Sequence, residues 1–115
     1  MIIPEGKKVY FSSDNHLGAP TKEASKPREA IFVKWLDEIK EDAAAIFLLG
    51  DLFDFWFEYK HAVPKGFVRV LGKLAELKDS GIPIYFFIGN HDLWMENYFE
   101  EELNIPTYRK PQEFE

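Results

Sequence analysis

The chain has 115 residues, a length typical of one domain. Its formal net charge is −6 at pH 7, so bulk electrostatics give no reason to expect nucleic acid as a partner. The absence of cysteine excludes disulfides and thiolate metal sites. The N-terminus lacks the basic and apolar regions of a signal peptide, and no stretch approaches the ~20 apolar residues of a membrane span. These properties predict a soluble, cytoplasmic protein.

Apolar runs and amphipathic segments predict the order strand, helix, strand, helix, strand. The strands are predicted at residues 7–13, 43–49 and 82–88, where the near-continuous apolar runs are typical of a parallel sheet. The first helix is predicted to have Pro27 in its first turn and to reach about Glu41. The second helix is predicted to stop near Gly81. A short helix at 93–103 and a further edge strand from Asn104 follow a weaker pattern.

This order predicts an α/β fold in which helices flank a mainly parallel sheet. Asp14 and Asp51 are 37 positions apart, and Asp51 and Asn90 are 39 positions apart. Each interval fits one βαβ unit of roughly 30 or more residues. Right-handed crossovers place the carboxyl ends of the strands at one edge of the sheet, where ligands bind in such folds. We therefore expect the polar residues after the three strands to converge on one active site.

The residue types at this edge are those that bind metal ions. Asp14 and His16 alternate across one residue, so in an extended strand end both side chains would point to the same face and share one metal. The two carboxylate oxygens of Asp51 can bridge two cations, and Asn90 offers a neutral amide oxygen. This mixture of ligands suits Mn, Fe, Zn or Co. Two such ions about 3.5–4 Å apart would clamp a phosphate and activate water.

His91 and Asp92 are the predicted catalytic pair. His91 is placed to hydrogen-bond the transferred phosphate or to protonate the leaving oxygen. Asp92 is expected to orient His91, whereas Asp54 is expected to hydrogen-bond the backbone around Asp51. Taken singly, the aspartates at strand ends are equally explained as loop and helix-cap residues; it is their combination with Asn90 and His91 that favours a metal site.

Three sequence blocks carry a resemblance to a known family. The blocks are Asp14-x-His16, Gly50-Asp51-x-x-Asp54 and Gly89-Asn90-His91-Asp92. In this order, each after a predicted strand, they resemble the first three signature blocks of the calcineurin-like metallophosphoesterase family. The resemblance covers roughly residues 7–95. Residues 13–18 and 50–56 are more narrowly similar to the UDP-2,3-diacylglucosamine pyrophosphohydrolase branch of that family.

The resemblance implies a phosphohydrolase with two divalent metal ions. By it, Asp14 and His16 bind the first metal and Asp51 bridges the two. Asn90 binds the second metal, and His91 contacts the scissile phosphate. The narrower similarity implies that the UDP-lipid substrate is hydrolysed at its pyrophosphate to UMP and the lipid sugar 1-phosphate in lipid A biosynthesis, with Mn²⁺ as the metal and Fe or Zn as alternatives.

The sequence departs from the family pattern in its histidines. The family adds a further metal-binding histidine and a Gly-His-x-His block later in the chain, whereas this sequence contains His16, His61 and His91 alone. We therefore expect residues 1–115 to be one phosphoesterase domain truncated at its C-terminus, the N-terminal part of a four-layer α/β/β/α sandwich. Two alternatives stay open. One is a metallophosphoesterase with another phosphoester substrate, and the other is a non-catalytic fragment that binds metal or phosphate.

Residues 53–59 contain five aromatic side chains, directly after a predicted site residue. Some of them must pack on the core. The remainder line a pocket for acyl chains, contact a membrane surface, or are simply packed, and the sequence leaves these alternatives open. Contact of these rings with a membrane surface would make the protein peripheral at the inner membrane.

Overall fold

A computed structural model describes residues 2–113, which form a parallel sheet with helices packed against it. The strands are β1 (Lys8–Ser12), β2 (Ala43–Leu48), β3 (Ile84–Phe87) and β4 (Thr107–Tyr108). The helices are α1 (Lys22–Ile39), α2 (Val68–Asp79) and α3 (Tyr98–Leu103). Within the described residues the sheet order is β1-β2-β3-β4, and each neighbouring pair is parallel. The predicted α/β class with a parallel sheet and flanking helices is confirmed.

One face of the sheet packs against the helices and forms the core. Apolar residues on α2 recur at helical spacing, so Val70, Leu74 and Leu77 all face inward. The sheet contributes alternate residues of β2 and β3, because side chains of a strand alternate between its two faces. The main contributors are Ile46, Leu48, Ile84 and Phe86 from the sheet, Phe32, Leu36 and Ile39 from α1, and Phe99 and Leu103 from α3.

The opposite face of the sheet carries a row of aromatic rings. The strand register places Phe11, Phe47 and Tyr85 side by side. The ring centroids of Phe11 and Phe47 are 5.2 Å apart, and those of Phe47 and Tyr85 are 5.0 Å apart. Both faces of the central strands are therefore apolar, which explains why their sequences read as continuous apolar runs.

The first helix begins earlier than predicted. Its N-cap is Thr21, whose side chain accepts a hydrogen bond from the backbone N–H of Ala24 at 3.0 Å. Pro27 therefore lies inside α1, and the prediction that it occupies the first turn is wrong. The ring leaves the carbonyl of Glu23 without its helical donor, a local cost that the rest of an 18-residue helix outweighs.

The N-terminus of α2 is capped from α1. Its N-cap residue, Phe67, makes no side-chain capping bond, but the carboxylate of Glu29 accepts from the backbone N–H of Val70 at 3.2 Å. Glu29 is itself buried. This contact satisfies one of the free N–H groups of the first turn and fixes how the two helices sit side by side. No helix among residues 2–113 is long and apolar enough to cross a membrane.

A tyrosine hydroxyl at the amino end of the sheet makes stability depend on pH. Tyr10 donates to Asp42 Oδ1 at 2.6 Å, and this bond is the main cause that lowers the pKa of Asp42. Because the folded pKa is lowered, the contribution is present above the unfolded value of about 3.9 and is lost as pH falls through the folded value. Tyr10→Phe should therefore lower Tm at pH 7 but have little effect at pH 2, measured by circular dichroism.

Tyr59→Phe is the matched control, because it removes a hydroxyl from an exposed tyrosine and should leave Tm unchanged at both pH values. An equal loss of Tm at pH 7 and pH 2 for Tyr10→Phe would show that Asp42 does not carry the effect.

Candidate metal centre

The loops after β1 and β2 run alongside each other at the carboxyl edge of the sheet. The backbone N–H of Asp14 donates to the carbonyl of Gly50 at 3.2 Å, and the N–H of His16 donates to the carbonyl of Asp51 at 2.9 Å. These two bonds extend the parallel pairing beyond the strands. Residues that are 35 or more positions apart in sequence therefore become neighbours.

A first group of metal-competent atoms lies around His16 Nε2. Asp14 Oδ1 is 3.7 Å from this nitrogen, and Asp51 Oδ2 is 4.0 Å from it. One ligand atom from each of the three residues lies within 4.8 Å of the others. The structure thus brings together three of the residues that the sequence singled out as metal ligands.

A second group lies around the other ring nitrogen of the same histidine. Asp54 Oδ1 is 3.5 Å from His16 Nδ1 and 3.5 Å from His91 Nδ1. The two imidazole rings contact each other edge to face, with centroids 4.5 Å apart. His16 therefore lies between two acidic groups, one on each side of its ring.

Asp54 lies in a position that the sequence pattern did not predict. It was expected to hydrogen-bond backbone around Asp51, but its carboxylate faces His16 and His91 instead. The sequence signal for this position was the spacing of Asp54, three residues after Asp51. A tight loop of that length can bring a second carboxylate to the same side of the site as the first. His91, which the sequence did not mark as a ligand, belongs to the same group.

Three residues of the first group have left-handed backbone. The φ angles are 56° at Asp14, 47° at His16 and 53° at Asp51. Such angles are uncommon outside glycine, and they concentrate at functional sites where the surrounding structure enforces them. Part of that enforcement comes from Arg28 on α1, which donates to the carbonyls of Asn15 at 2.7 Å and His16 at 3.2 Å.

This backbone also corrects the expected geometry of the first block. Asp14 and His16 were expected to share a face by the alternation of an extended strand end. β1 ends at Ser12, and both residues lie beyond it in the left-handed region. The alternation of side chains along a strand does not extend past β1. The side chains of Asp14 and His16 converge because the loop turns at these residues.

Asp51 is held by the loop that follows β3. Its Oδ1 accepts from the backbone N–H of His91 at 2.8 Å, while Oδ2 faces His16. Gly89 packs directly against this carboxylate: a Cβ added there would lie 2.3 Å from Asp51 Oδ1 and 2.6 Å from the Asp51 nitrogen. Only glycine fits this approach, so the glycine of the third block positions the aspartate of the second.

Asp92 is a buried acceptor of backbone hydrogen bonds. It is 0% exposed and accepts from the N–H groups of Gly89 at 2.6 Å, Leu52 at 2.9 Å and Asp51 at 3.3 Å. Burial raises the pKa of the Asp92 carboxyl, and these backbone donors oppose that rise. The side chain thereby joins the loops after β2 and β3.

The expectation that Asp92 orients His91 is therefore corrected. His91 Nδ1 lies 2.8 Å from the backbone carbonyl oxygen of Asp54, and a carbonyl can only accept, so Nδ1 is the donor. In the neutral ring the proton is then on Nδ1, which leaves Nε2 as an acceptor. His91 can protonate an oxygen through Nε2 only when both ring nitrogens carry a proton.

Asn90 lies between Gly89 and His91 in the same loop, and its side chain is exposed. Its predicted role as a ligand of the second metal stays a prediction.

The donor atoms of both groups are of types that bind divalent cations, although the neutral His16 ring has one lone pair and can bind a metal through only one of its two nitrogens. They are carboxylate oxygens and imidazole nitrogens, the ligands that suit Mn, Fe or Zn, and the chain contributes no thiolate. Three protein donors in the first group leave coordination positions for water, phosphate or a further ligand, whereas in the second group His91 Nδ1 donates to the Asp54 carbonyl and has no lone pair for a metal in that state. The residues therefore fit a metal centre, while manganese in particular stays a prediction.

Comparison with known proteins identifies the family of this chain over most of its length. Residues 7–115 match the calcineurin-like phosphoesterase family. A UDP-2,3-diacylglucosamine hydrolase of Porphyromonas gingivalis is 49% identical over 101 residues, which are 88% of this chain and 38% of that protein. The protein of the same name from Actinobacillus succinogenes is 35% identical over 105 residues, which are 89% of this chain and 43% of that protein.

A third relative, the UDP-2,3-diacylglucosamine hydrolase of Edwardsiella ictaluri, is 39% identical over 100 residues, with 84% of this chain and 36% of that protein covered. The chain thus spans about two fifths of the length of these curated relatives. The family match extends over nearly every residue and includes all three loops of the metal centre. The chain therefore belongs to the calcineurin-like phosphoesterase family.

Proposed function

We propose that the protein is a divalent-metal-dependent phosphohydrolase that hydrolyses the pyrophosphate bond of UDP-2,3-diacylglucosamine to UMP and the lipid sugar 1-phosphate. The observation that carries this proposal is the position of His16, with Asp14 and Asp51 at one ring nitrogen and Asp54 at the other. The names of the relatives support the substrate. Because the chain spans about two fifths of those relatives, the activity is proposed for a protein of their length that contains it.

The residues of the two groups have different roles in the proposed reaction. When bound, two divalent cations supply Lewis-acid polarisation of the phosphoryl oxygens and lower the pKa of water. Asp14, His16 and Asp51 would hold one cation, and Asp51 would also face the second. The N–H of His91 keeps Oδ1 of Asp51 in place, so this carboxylate needs no reorganisation during the reaction.

His91 is the residue that moves a proton. The oxygen of water forms the new bond to phosphorus, one of its two protons stays on that oxygen and the other passes to solvent, and the bond from that phosphorus to the bridging oxygen breaks. His91 in its doubly protonated form gives the proton on Nε2 to the bridging oxygen, while Nδ1–H remains hydrogen-bonded to the Asp54 carbonyl. The orientation of the ring therefore depends on Asp54.

Metal stoichiometry tests the site directly. The protein is loaded with Mn²⁺, dialysed, and the metal bound per chain is measured by elemental analysis. We expect Asp51→Ala to weaken Mn²⁺ binding by tenfold or more, a loss of about 1.4 kcal/mol, because the variant removes a carboxylate shared by the two loops. Glu100→Ala removes an exposed carboxylate on α3 and serves as the control.

The reaction is then tested in a protein of the relatives' length, by release of UMP from UDP-2,3-diacylglucosamine. Release that survives Asp51→Ala unchanged would contradict the mechanism. Metal binding without UMP release would favour one of the two alternatives, hydrolysis of another phosphoester or a non-catalytic site. A cytoplasmic location is part of the proposal, as is peripheral contact at the inner membrane, which the exposed aromatic residues near the site support.

A further inference from the structure

The loop between β1 and α1 carries His16 and is held from two sides. On one side lies the loop after β2. The backbone N–H of His16 donates to the carbonyl of Asp51 at 2.9 Å, and that of Leu17 donates to the carbonyl of Leu52 at 2.9 Å. On the other side lies the first half of α1, whose contacts with the loop are made by side chains.

Two side chains of α1 bind opposite kinds of backbone group in this loop. The hydroxyl of Ser25, which is buried, accepts from the N–H of Gly18 at 2.7 Å. Arg28 follows three positions later and therefore lies on the same face of the helix. It donates to carbonyl oxygens of the loop, so α1 satisfies both donors and acceptors there.

The guanidinium of Arg28 joins three carbonyl oxygens of this one loop. Its Nη1 donates to the carbonyl of Asn15 at 2.7 Å, and its Nη2 donates to the carbonyls of His16 at 3.2 Å and of Ala19. A guanidinium carries five N–H donors in a planar fork, so it can bond several acceptors at fixed angles. Carbonyl oxygens that converge on one point repel one another, and a cationic donor between them removes that repulsion.

The backbone of His16 is fixed at both of its polar groups. Its N–H is bonded to the loop after β2, and its carbonyl accepts from Arg28. The φ angle of His16 is 47°, and such a conformation persists only where the surroundings enforce it. With both groups held, the direction of the Cα–Cβ bond is set, and the ring is directed towards Asp14 and Asp51.

Arg28 acts on the loop and has little part in the core. Its side chain is exposed, whereas Phe32 and Leu36 are the residues of α1 that pack deeply against the sheet. Water could bond to each of the three carbonyls singly, but it could not tie them to one another or to α1. Loss of the guanidinium should therefore change the loop more than the helix.

We propose that Arg28 is a positioning residue of the metal centre, which holds the loop after β1 in the conformation that presents Asp14 and His16 to a metal ion. The inference rests on the proposed function, since it concerns the residues that would hold the metal. Arg28 touches neither metal nor substrate and acts through His16. The first half of α1 thereby takes part in forming the site as well as in covering the sheet.

Calorimetric titration of Mn²⁺ into the purified protein measures the effect on binding. We expect Arg28→Ala to weaken Mn²⁺ binding by about tenfold or more, as is typical when a residue that orients a ligand is lost. Arg28→Lys keeps the charge, but its single ammonium lacks the planar fork, so its affinity should lie between those of the wild type and Arg28→Ala. Arg69→Ala removes an exposed arginine on α2 and should bind Mn²⁺ as the wild type does.

Methylguanidinium separates positioning from a general loss of structure. It is added to Arg28→Ala at a concentration that leaves the Tm of the wild type unchanged. The cation has the same planar fork and can donate to the same carbonyls, so we expect it to raise the Mn²⁺ affinity of this variant severalfold. Methylammonium at the same concentration has no fork and should have no effect.

Amide hydrogen exchange measures the loop in the absence of metal. We expect Arg28→Ala to speed exchange at the N–H groups of His16 and Leu17 by about tenfold, because the loop that carries them is held from one side only. Exchange in β3 and α2 should be unchanged. A purely structural role would instead speed exchange throughout the sheet.

The possible results separate the two proposals. Mn²⁺ binding by Arg28→Ala as tight as that of Arg69→Ala would overturn the positioning role and leave the proposed function standing. Faster exchange throughout the sheet, with no rescue by methylguanidinium, would also overturn it. Absence of Mn²⁺ binding in the wild type would contradict the metal centre. In that case faster exchange confined to His16 and Leu17 would still show that Arg28 holds the loop, and unchanged exchange would overturn this role too.

Discussion

Gly89→Ala is expected to weaken Mn²⁺ binding by about tenfold or more, although residue 89 carries no ligand atom. The added Cβ would lie 2.3 Å from Asp51 Oδ1 and 2.6 Å from the Asp51 nitrogen, and neither atom can stay where it is. The carboxylate must move away from His16, or the two loops must separate. Either change moves the ligand atoms of Asp14, His16 and Asp51 apart. Calorimetric titration of Mn²⁺ into the purified variant measures the effect.

Gly72→Ala is the matched control for this substitution. Gly72 lies on α2, and a Cβ added there meets no atom within 4 Å. Alanine in a helix interior should raise the free energy of unfolding by roughly 0.5–1 kcal/mol and leave Mn²⁺ binding unchanged. If Gly89→Ala bound Mn²⁺ as tightly as Gly72→Ala, the close approach of Gly89 to Asp51 would have no part in forming the centre.

Asp92→Ala is expected to lower the free energy of unfolding by about 3–5 kcal/mol. Asp92 is fully buried, and its loss would leave the backbone N–H groups of Gly89, Leu52 and Asp51 without their acceptor. Each buried donor that loses its partner costs about 1–3 kcal/mol. Because a domain of this size is stable by only about 5–15 kcal/mol, urea denaturation should show a large shift of the midpoint.

Two further variants test whether the loss of stability comes from the hydrogen bonds that Asp92 accepts. Glu38→Ala removes an exposed carboxylate on α1 and should change the midpoint little. Asp92→Asn keeps one acceptor oxygen and should lie between the wild type and Asp92→Ala. A midpoint for Asp92→Ala equal to that of Glu38→Ala would mean that the three amides find other partners and that Asp92 does not join the loops.

The pattern of apolar and polar residues was enough to predict the order of strands and helices and the edge of the sheet at which the site lies. The apolar runs that became β2 and β3 are buried on one face by helices, Tyr10 of β1 packs against the same core, and all three strands contribute to one aromatic row on the other face, so local composition already encoded their environment. The βαβ spacing brought Asp14, His16 and Asp51 to one edge, as predicted. Chirality and strand direction are properties of the chain, and they fix that edge without knowledge of any contact.

The roles of individual polar residues, in contrast, depend on contacts that form only in the folded chain. Glu29 on α1 accepts a hydrogen bond from the first turn of α2, 41 positions away. Asp54 faces the histidines and Asp92 the backbone, the reverse of what the sequence analysis expected. Sequence patterns report which residues are buried. The partner of a buried or clustered carboxylate, in contrast, depends on which loop from elsewhere in the chain packs against it.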